Sequence, residues 1–231
     1  ETDMSAVRPS VFSGGMQRQA TIGDVVLCGL LATAVTTAGA ATLTVGAILG
    51  GTIRRSGPAA GFTDTWPTSE QLCAALRSHG NNADHVPGMG FLVRYINTVA
   101  QANTMAVPAN EGISLSTAVY SSVVNCPASS YKDYFVELVS APVAASTVTA
   151  STANGTKRIL LAAEAAPGSI VPGMSVYGTG IGASAKVTHL IYGTAGIKEV
   201  WVDVNSSADG SNIIVSLKPT VVVHSIGSGA L

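Results

Sequence analysis

The sequence predicts an all-β protein, an antiparallel sandwich or barrel with one short helix, followed by a second small β domain. Runs of β-branched, aromatic and alternating residues recur roughly every 10 to 12 residues, with Gly, Pro and Asn between them. Only the segment after Thr68 has the start signals of a helix, and the composition changes at residues 140–142. We therefore divide the chain into an extended N-terminal arm (1–19), a β domain (20–139) and a C-terminal β domain (140–231).

The composition favours assembly over chemistry. Only 11% of the 231 residues are charged, against roughly 25% in an ordinary soluble domain. The 12 Lys and Arg residues against 13 Asp and Glu residues leave a net charge of -1, which excludes a strongly basic nucleic-acid-binding protein. A surface with so few charges is expected to be covered in part by other subunits. We therefore expect a homo-oligomer with no direct nucleic-acid partner.

The N-terminal arm, residues 1–19, shows no sustained hydrophobic period and contains Pro9 and a Gly pair. It also lacks the basic and apolar regions of a signal peptide. Its apolar residues are too few for a core of its own, but Val11 and Phe12 form an extended, partly apolar strip. We expect the arm to become ordered by contacting a neighbouring subunit, as an added strand at a sheet edge.

Residues 25–53 carry no charge and are long enough for a transmembrane helix. Their content argues against a helix, because Gly and Thr are frequent and Leu is sparse. Residues 41–45 (ATLTV) alternate with a period of two. The segment therefore predicts two or three strands separated by Gly turns, and no membrane span.

The helix is predicted from a capping box. Thr68 can cap the first turn, and Gln71 three residues later can complete the reciprocal pair. Leu72 and Leu76 share one face at a spacing of four residues. Gly80 is placed to end the helix after about three turns.

The strands of both β domains are predicted from alternation between turn residues. In the first domain they are 91–98, 103–107, a strand from 112, 118–124 and 131–139. In the second domain they are 146–150, 158–162, 175–177, 185–192, 199–205, 212–217 and 221–226. No helical period occurs in the second domain.

Residues 178–183 (GTGIGA) fit the glycine pattern of dinucleotide-binding loops, and Asp203 follows at about the expected distance. That pattern binds a pyrophosphate only where a helix follows, because the helix N-terminus holds the phosphates. The following residues, 184–192, predict a strand instead. We therefore interpret 178–183 as a turn.

The remaining reactive side chains form no site that the sequence can identify. The histidines are scattered, at His79, His85, His189 and His224. The three cysteines are too far apart for a zinc site and odd in number for a disulfide framework, at Cys28, Cys73 and Cys126. The adjacent pair Arg54-Arg55 is expected in a solvated turn or an intersubunit salt bridge. We expect no catalytic, cofactor-binding or metal site, and hence no enzyme.

Two stretches carry a resemblance to a known class of proteins. Residues 59–68 (AAGFTDTWPT), the helix after them, 91–97, Thr104 and 112–115 resemble a module of virion structural proteins of tailed bacteriophages. Residues 170–181 (IVPGMSVYGTGI) are similar to a small β-module of phage structural proteins, and 219–229 (PTVVVHSIGSG) to its usual end. The matching residues are turn and packing residues.

This resemblance implies a capsid decoration (cement) protein or a head-fibre protein, commonly trimeric. The expected partners are further copies of the chain and the major capsid protein, at the capsid surface of the virion. The alternative is a head- or tail-fibre domain that binds a receptor or glycan through the aromatic side chains of Tyr177, Tyr192 and Trp201. A depolymerase-like enzyme is disfavoured, because carboxylates are few and no long solenoid repeat occurs.

Overall fold

The computed structural model describes residues 20–22, 25–27, 31–79, 87–116 and 125–231. The predicted arm, the predicted strand 118–124, Cys28, His85 and the predicted helix end at Gly80 lie outside these ranges.

The fold is all-β with few helical residues, as predicted. The helices are α1 (Val45–Leu49) and α2 (Ser69–His79). The strands up to the middle of the chain are β1 (Ala20–Ile22), β2 (Val25–Leu27), β3 (Leu31–Val35), β4 (Ala41–Thr42), β5 (Gly51–Arg55), β6 (Phe62–Thr65), β7 (Gly90–Asn97), β8 (Asn103–Ala106), β9 (Ile113–Leu115), β10 (Asn125–Cys126) and β11 (Ser130–Leu138). The remaining strands are β12 (Ser146–Thr152), β13 (Arg158–Ala165), β14 (Ser175–Gly178), β15 (Val187–Tyr192), β16 (Ile197–Val202), β17 (Gly210–Lys218) and β18 (Val221–Ala230).

The described strands form three sheets. The central sheet has eight strands, in the order β1-β2-β7-β11-β18-β9, with β5 also beside β7 and β3 beside β5. A second sheet has the order β10-β8-β6-β4, and a third has the order β14-β17-β12-β13-β16-β15. The first and second sheets and both helices supply one hydrophobic core, and the third sheet encloses another.

Helix α2 begins as the capping box predicts. The main-chain N–H of Gln71 donates to Thr68 Oγ1 at 3.1 Å, and the main-chain N–H of Thr68 donates to Gln71 Oε1 at 2.9 Å. Leu72 and Leu76 are buried in the first core. The helix therefore packs this apolar face into the core that it shares with the first two sheets.

Helix α1 differs from the prediction of a strand over 41–45. Only Ala41–Thr42 is a strand, and Thr44 caps the following helix by accepting a hydrogen bond from the Ala47 N–H at 3.2 Å. Ala47 and Ile48 are buried. The reason is that Thr is both a good strand residue and a good N-cap, so tertiary packing decides between the two.

Strand pairing in the first two sheets is mixed rather than purely antiparallel. Strand β5 pairs parallel with β3 and β7, and β6 pairs parallel with β4 and β8. β9 also runs parallel to β18, whereas β11 is antiparallel to both of its neighbours. Alternation along one strand carries no information about the direction of its partner, so the sequence could not predict this.

The third sheet closes into a small antiparallel barrel. Its two end strands meet where the Val187 N–H donates to the Met174 carbonyl and the Val176 N–H donates to the Ala185 carbonyl, each at 2.9 Å. The barrel is filled by buried aliphatic side chains, including Ile159, Val200, Val202, Val215 and Leu217. Closure leaves few unpaired strand edges in this part of the chain.

The predicted C-terminal domain, 140–231, needs a correction at its end. Strand β18 leaves the barrel and joins the central sheet, pairing with β11 and β9. Its Val221 and Val223 are buried in the first core. The barrel therefore comprises β12 to β17 only. Alternation identifies β18 as a strand, but it does not identify the sheet that β18 joins. The pairing partners are far apart in the sequence, because His224 pairs with Phe135, about 90 residues earlier.

A buried polar network joins the central and second sheets. Arg55 Nε donates to Asp64 Oδ2 at 2.9 Å, and both side chains are fully buried. The hydroxyl of Tyr95 donates to the same oxygen at 2.6 Å, and Asn103 Nδ2 lies 3.3 Å from it. Arg55 also donates to the carbonyls of residues 35, 37, 39 and 56. The expectation of a solvated turn or intersubunit bridge is wrong for Arg55, whereas Arg54 is exposed.

Candidate interaction surfaces

The outer face of the central sheet carries exposed and half-buried large side chains. We define this face by Leu92, Arg94, Tyr131, Asp133, Phe135, Glu137, His224 and Ile226. Leu92 lies opposite Phe135, and Phe135 lies opposite His224, so the three form one cross-strand row. Leu92 is 39% exposed, and the rings of Phe135 and His224 are 6.2 Å apart. This row forms a continuous strip of large side chains across three strands, and two of the three, Leu92 and Phe135, are apolar.

Charged groups on the outer face are paired with each other. Arg94 donates to both carboxylate oxygens of Asp133, at 2.7 and 2.8 Å, and its guanidinium lies 4.6 Å above the Tyr131 ring. The hydrogen bonds from Arg94 to Asp133 raise the pKa of Arg94. Glu137 Oε2 lies 2.7 Å from His224 Nε2. The side chains of Arg94, Asp133, Glu137 and His224 are therefore held in place by contacts within the subunit.

A β-bulge places Ile226 on the surface. Tyr134 pairs with Ser225 and Asp133 pairs with Gly227, which leaves Ile226 as the extra residue of β18. Its side chain is 49% exposed. Bulges commonly re-aim a side chain in this way. The bulge adds one more aliphatic group to a surface that already exposes Leu92.

The barrel carries a smaller aromatic cluster on its outside. The rings of His189 and Trp201 stack with centroids 5.1 Å apart. Beside them, Arg158 donates to both oxygens of Glu199, at 2.8 and 2.7 Å. The Arg158 hydrogen bond lowers the pKa of Glu199, so this ion pair persists when the pH falls into the usual range of a glutamate. An aromatic stack beside a planar ion pair can offer contacts to a sugar.

The three aromatic residues considered for glycan binding are in different environments. Tyr192 is 58% exposed near the β15–β16 turn. That turn is fixed in place because Glu164 accepts hydrogen bonds from the N–H groups of Ala195 and Thr194, which also lower the pKa of Glu164. Trp201 is partly buried in its stack. The Tyr177 hydroxyl accepts a hydrogen bond from the N–H of residue 112 at 3.1 Å. Only Tyr192 presents most of its ring to solvent.

A cleft of about 490 Å³ separates the barrel from strand β9. One wall includes residues 110 and 112–114, and the other includes residues 175–178, 181–184 and 186. Two of its lining residues, Asn110 and Ser184, have positive φ angles of 57° and 59°. Lys186 is the charged residue in the lining. The lining of the cleft is therefore mostly uncharged, and it includes main-chain groups of both walls.

The glycine-rich segment 178–183 is a turn that forms part of this cleft. It follows β14, and the next regular element is the strand β15 rather than a helix. Gly180 has a φ of +76°. Gly178 and Gly182 have ordinary φ angles, but a Cβ there would lie 2.8 Å from the Ile214 carbonyl oxygen and 2.6 Å from the Asn205 carbonyl oxygen. The glycines are therefore needed for the backbone conformation and the close packing of the turn.

We expect Gly180→Ala and Gly182→Ala to destabilise the protein by about 1–3 kcal/mol each. The cause differs, because Gly180 needs a positive φ whereas Gly182 needs space. Urea unfolding measures both effects. Saturable binding of a nucleotide by the natural protein, lost in both variants, would contradict the turn interpretation.

The other candidate residues remain apart in the described part of the chain. His189 and His224 lie on the barrel and on the central sheet, respectively. Burial raises the pKa of Cys73 to about 12 and also raises the pKa of Cys126, so both thiols are protonated at neutral pH. No group of three or more His, Cys, Asp or Glu residues within the described ranges could hold a metal ion.

Within those same ranges, no helix has the length and apolar content that crossing a membrane requires.

The sequence did not predict the outer face of the central sheet. Along β7, β11 and β18 the residues of this face alternate with buried residues. The sequence shows this alternation, but it does not show which of the two sides of the sheet faces solvent. No family model and no curated protein matches the chain.

Proposed function

We propose that this protein is a structural component of a virus particle, a capsid decoration (cement) protein that binds the major capsid protein and further copies of itself. The observation that carries the proposal is the outer face of the central sheet. It presents aliphatic, aromatic and arginine side chains on a rigid sheet, and these residue types are enriched at the centres of protein interfaces. The low charge of the whole chain agrees with this.

The mechanism proposed is burial of surface. Covering the apolar side chains of Leu92, Phe135 and Ile226 removes apolar area from water, which contributes about 25 cal/mol per Å² before association costs. The Arg94–Asp133 ion pair and the contact between His224 and Glu137 are already formed within the subunit, so a partner need not supply hydrogen-bonding groups to these side chains. A decoration protein that bridges capsid subunits in this way would oppose their separation under internal pressure.

The test is retention on the particle. We expect Leu92→Glu combined with Ile226→Glu to reduce binding to undecorated particles at least tenfold, because the interface would either bury two unpaired carboxylates or fail to form. Ile214→Glu is the matched control, since Ile214 is a barrel residue that is 62% exposed. Co-sedimentation with particles measures retention, and circular dichroism checks that the variants fold.

Equal retention of the double variant and the natural protein would show that the outer face is not the capsid-binding surface. An electron microscopy image of the particle that lacks density for the protein on the capsid would contradict the decoration function itself.

The second candidate is a fibre domain that binds a receptor glycan, and the barrel cluster favours it. His189 and Trp201 supply stacked rings, and Arg158 and Glu199 supply a fixed set of hydrogen-bonding groups beside them. A glycan array separates the two functions. Binding that Trp201→Ala abolishes would support the fibre domain, and a blank array together with binding to undecorated particles would support decoration.

A further inference from the structure

Strand β9 ends the central sheet with an unpaired side in the described part of the chain. On its paired side, the Val221 N–H donates to the Gly112 carbonyl at 2.9 Å, and the Ser116 N–H donates to the Val223 carbonyl at 2.8 Å. Main-chain groups alternate in direction along a strand. The N–H and C=O groups of Ile113 and Leu115 therefore point away from β18, toward the space beside the sheet.

That space includes the cleft between β9 and the barrel. Ile113 and Ser114 line it on one side, and the turn at 178–184 lines it on the other. A volume of about 490 Å³ accommodates a few residues of extended chain. The edge of β9 is three residues long, so a strand of three or four residues matches it in length and would pair with the outward main-chain groups of Ile113 and Leu115.

The N-terminal arm contains a stretch of the required length. Residues 10–13 (SVFS) lie between Pro9 and the Gly pair that begins at Gly14. Pro cannot donate a main-chain hydrogen bond, and Gly weakens a strand, so the two bound a short strand between them. Val11 and Phe12 favour extended structure. The sequence therefore offers a four-residue strand with defined ends.

The distance from β1 to the outer edge of β9 is too long for the arm of the same copy, so the proposed strand comes from another copy. The arm is attached to β1, which stands at the opposite end of the central sheet from β9. Six steps between strands, at about 4.8 Å each, separate β1 from a strand added beside β9 by about 29 Å across the sheet. Seven peptide units from Ala20 to Ser13 reach at most about 25 Å. Since the chain would have to travel around the sheet, its own arm falls short.

We propose that residues 10–13 of one copy pair as an extra strand with β9 of the next copy, in the cleft beside the barrel. The contact joins two different surfaces, so repetition around a symmetry axis closes a ring. A ring of three gives the homotrimer, and in this respect the inference rests on the self-association in the proposed function. Main-chain hydrogen bonds supply the pairing, as in other strand additions.

Photo-cross-linking of the full chain tests the contact. A p-benzoylphenylalanine is placed at the exposed position 114, and ¹⁵N-labelled and unlabelled copies are mixed before irradiation. We expect cross-linked peptides that join position 114 to residues 1–19 of a differently labelled copy. The same group at position 149, an exposed position on the barrel, is the control and should give none.

Two proline variants give the matched comparison. Val11→Pro removes a main-chain donor inside the proposed strand and should reduce the cross-link at least tenfold, with monomers seen by light scattering. Val7→Pro lies before Pro9 and should leave both the cross-link and the trimer unchanged. Both residues belong to the arm, so the two variants differ in whether the proline lies inside the proposed strand or before it.

Cross-links from position 114 to the arm of the same copy, to residues 117–124 or to another surface would overturn the inference. So would an undiminished cross-link in Val11→Pro. Particle binding is measured separately, by co-sedimentation. Retention on particles without the cross-link rejects only the arm contact, whereas the cross-link without retention rejects only the capsid function.

Discussion

Replacing Asp64 with Asn is expected to lower the free energy of unfolding by about 3–5 kcal/mol, because it leaves the Arg55 guanidinium buried without its opposite charge. Both side chains are fully buried, and Asp64 also accepts from Tyr95 and from the Ala41 N–H. An asparagine keeps the shape and an acceptor oxygen but removes the charge. Urea unfolding of the full chain, followed by circular dichroism, measures the change.

Asp133→Asn is the matched control for this prediction. Asp133 also pairs with an arginine, here through both of its carboxylate oxygens, but Arg94 is about half exposed. Exposed pairs contribute about 0–1 kcal/mol, because water and salt screen them. We therefore expect a much smaller loss of stability in Asp133→Asn. Equal losses in the two variants would show that burial of the Arg55–Asp64 pair is not what makes it important.

Gly112→Ala is expected to destabilise the protein by about 2–4 kcal/mol, from backbone strain and a collision together. Gly112 has a φ of +70°, and an added Cβ would collide with the carbonyl oxygen of Pro219 and the hydroxyl of Ser69. The Gly112 main chain also bonds to Tyr177 and Val221, which belong to the barrel and to the returning strand β18. Little room exists for the backbone to move.

Gly155→Ala separates strain from collision. Gly155 has a similar φ of +75°, but an added Cβ there meets nothing within 4 Å. Its substitution should cost about 1 kcal/mol, the strain alone. The difference between the two midpoints in urea then reports the collision at Gly112. A Gly155→Ala variant as unstable as Gly112→Ala would place the whole effect in the backbone angle.

Local signals in the sequence were sufficient for most individual elements. The capping box at Thr68 and Gln71 forms as predicted, because both partners lie within one turn. Strand β7 and strand β11 also differ from their predicted bounds by one residue at each end. The turn at 178–183 was predicted because the sequence after it does not support a helix.

Residues with two local preferences were predicted less well. Thr44 suits a strand and a helix cap equally, and the burial of Ile48 in the first core selects the cap. Arg55 looks like a surface residue in a weakly charged chain. Its burial depends on Asp64, nine residues away, and on Tyr95 from another strand. No neighbouring residue indicates this network.

The features of the fold and of the candidate surfaces therefore fall into two groups, those that the sequence determined and those that only the tertiary structure decided. The sequence alone determined the all-β class, the capping box of helix α2 and the low charge. Tertiary structure alone decided the parallel pairings, the return of β18 to the central sheet, the side of that sheet that faces solvent and the position of β9 at the end of the sheet among the described strands. The physical reason is the separation along the chain between the residues that interact. Caps, turns and alternation are set by neighbours a few residues apart, whereas strand partners, burial of charge and sheet edges depend on residues far along the chain that meet only in the folded molecule.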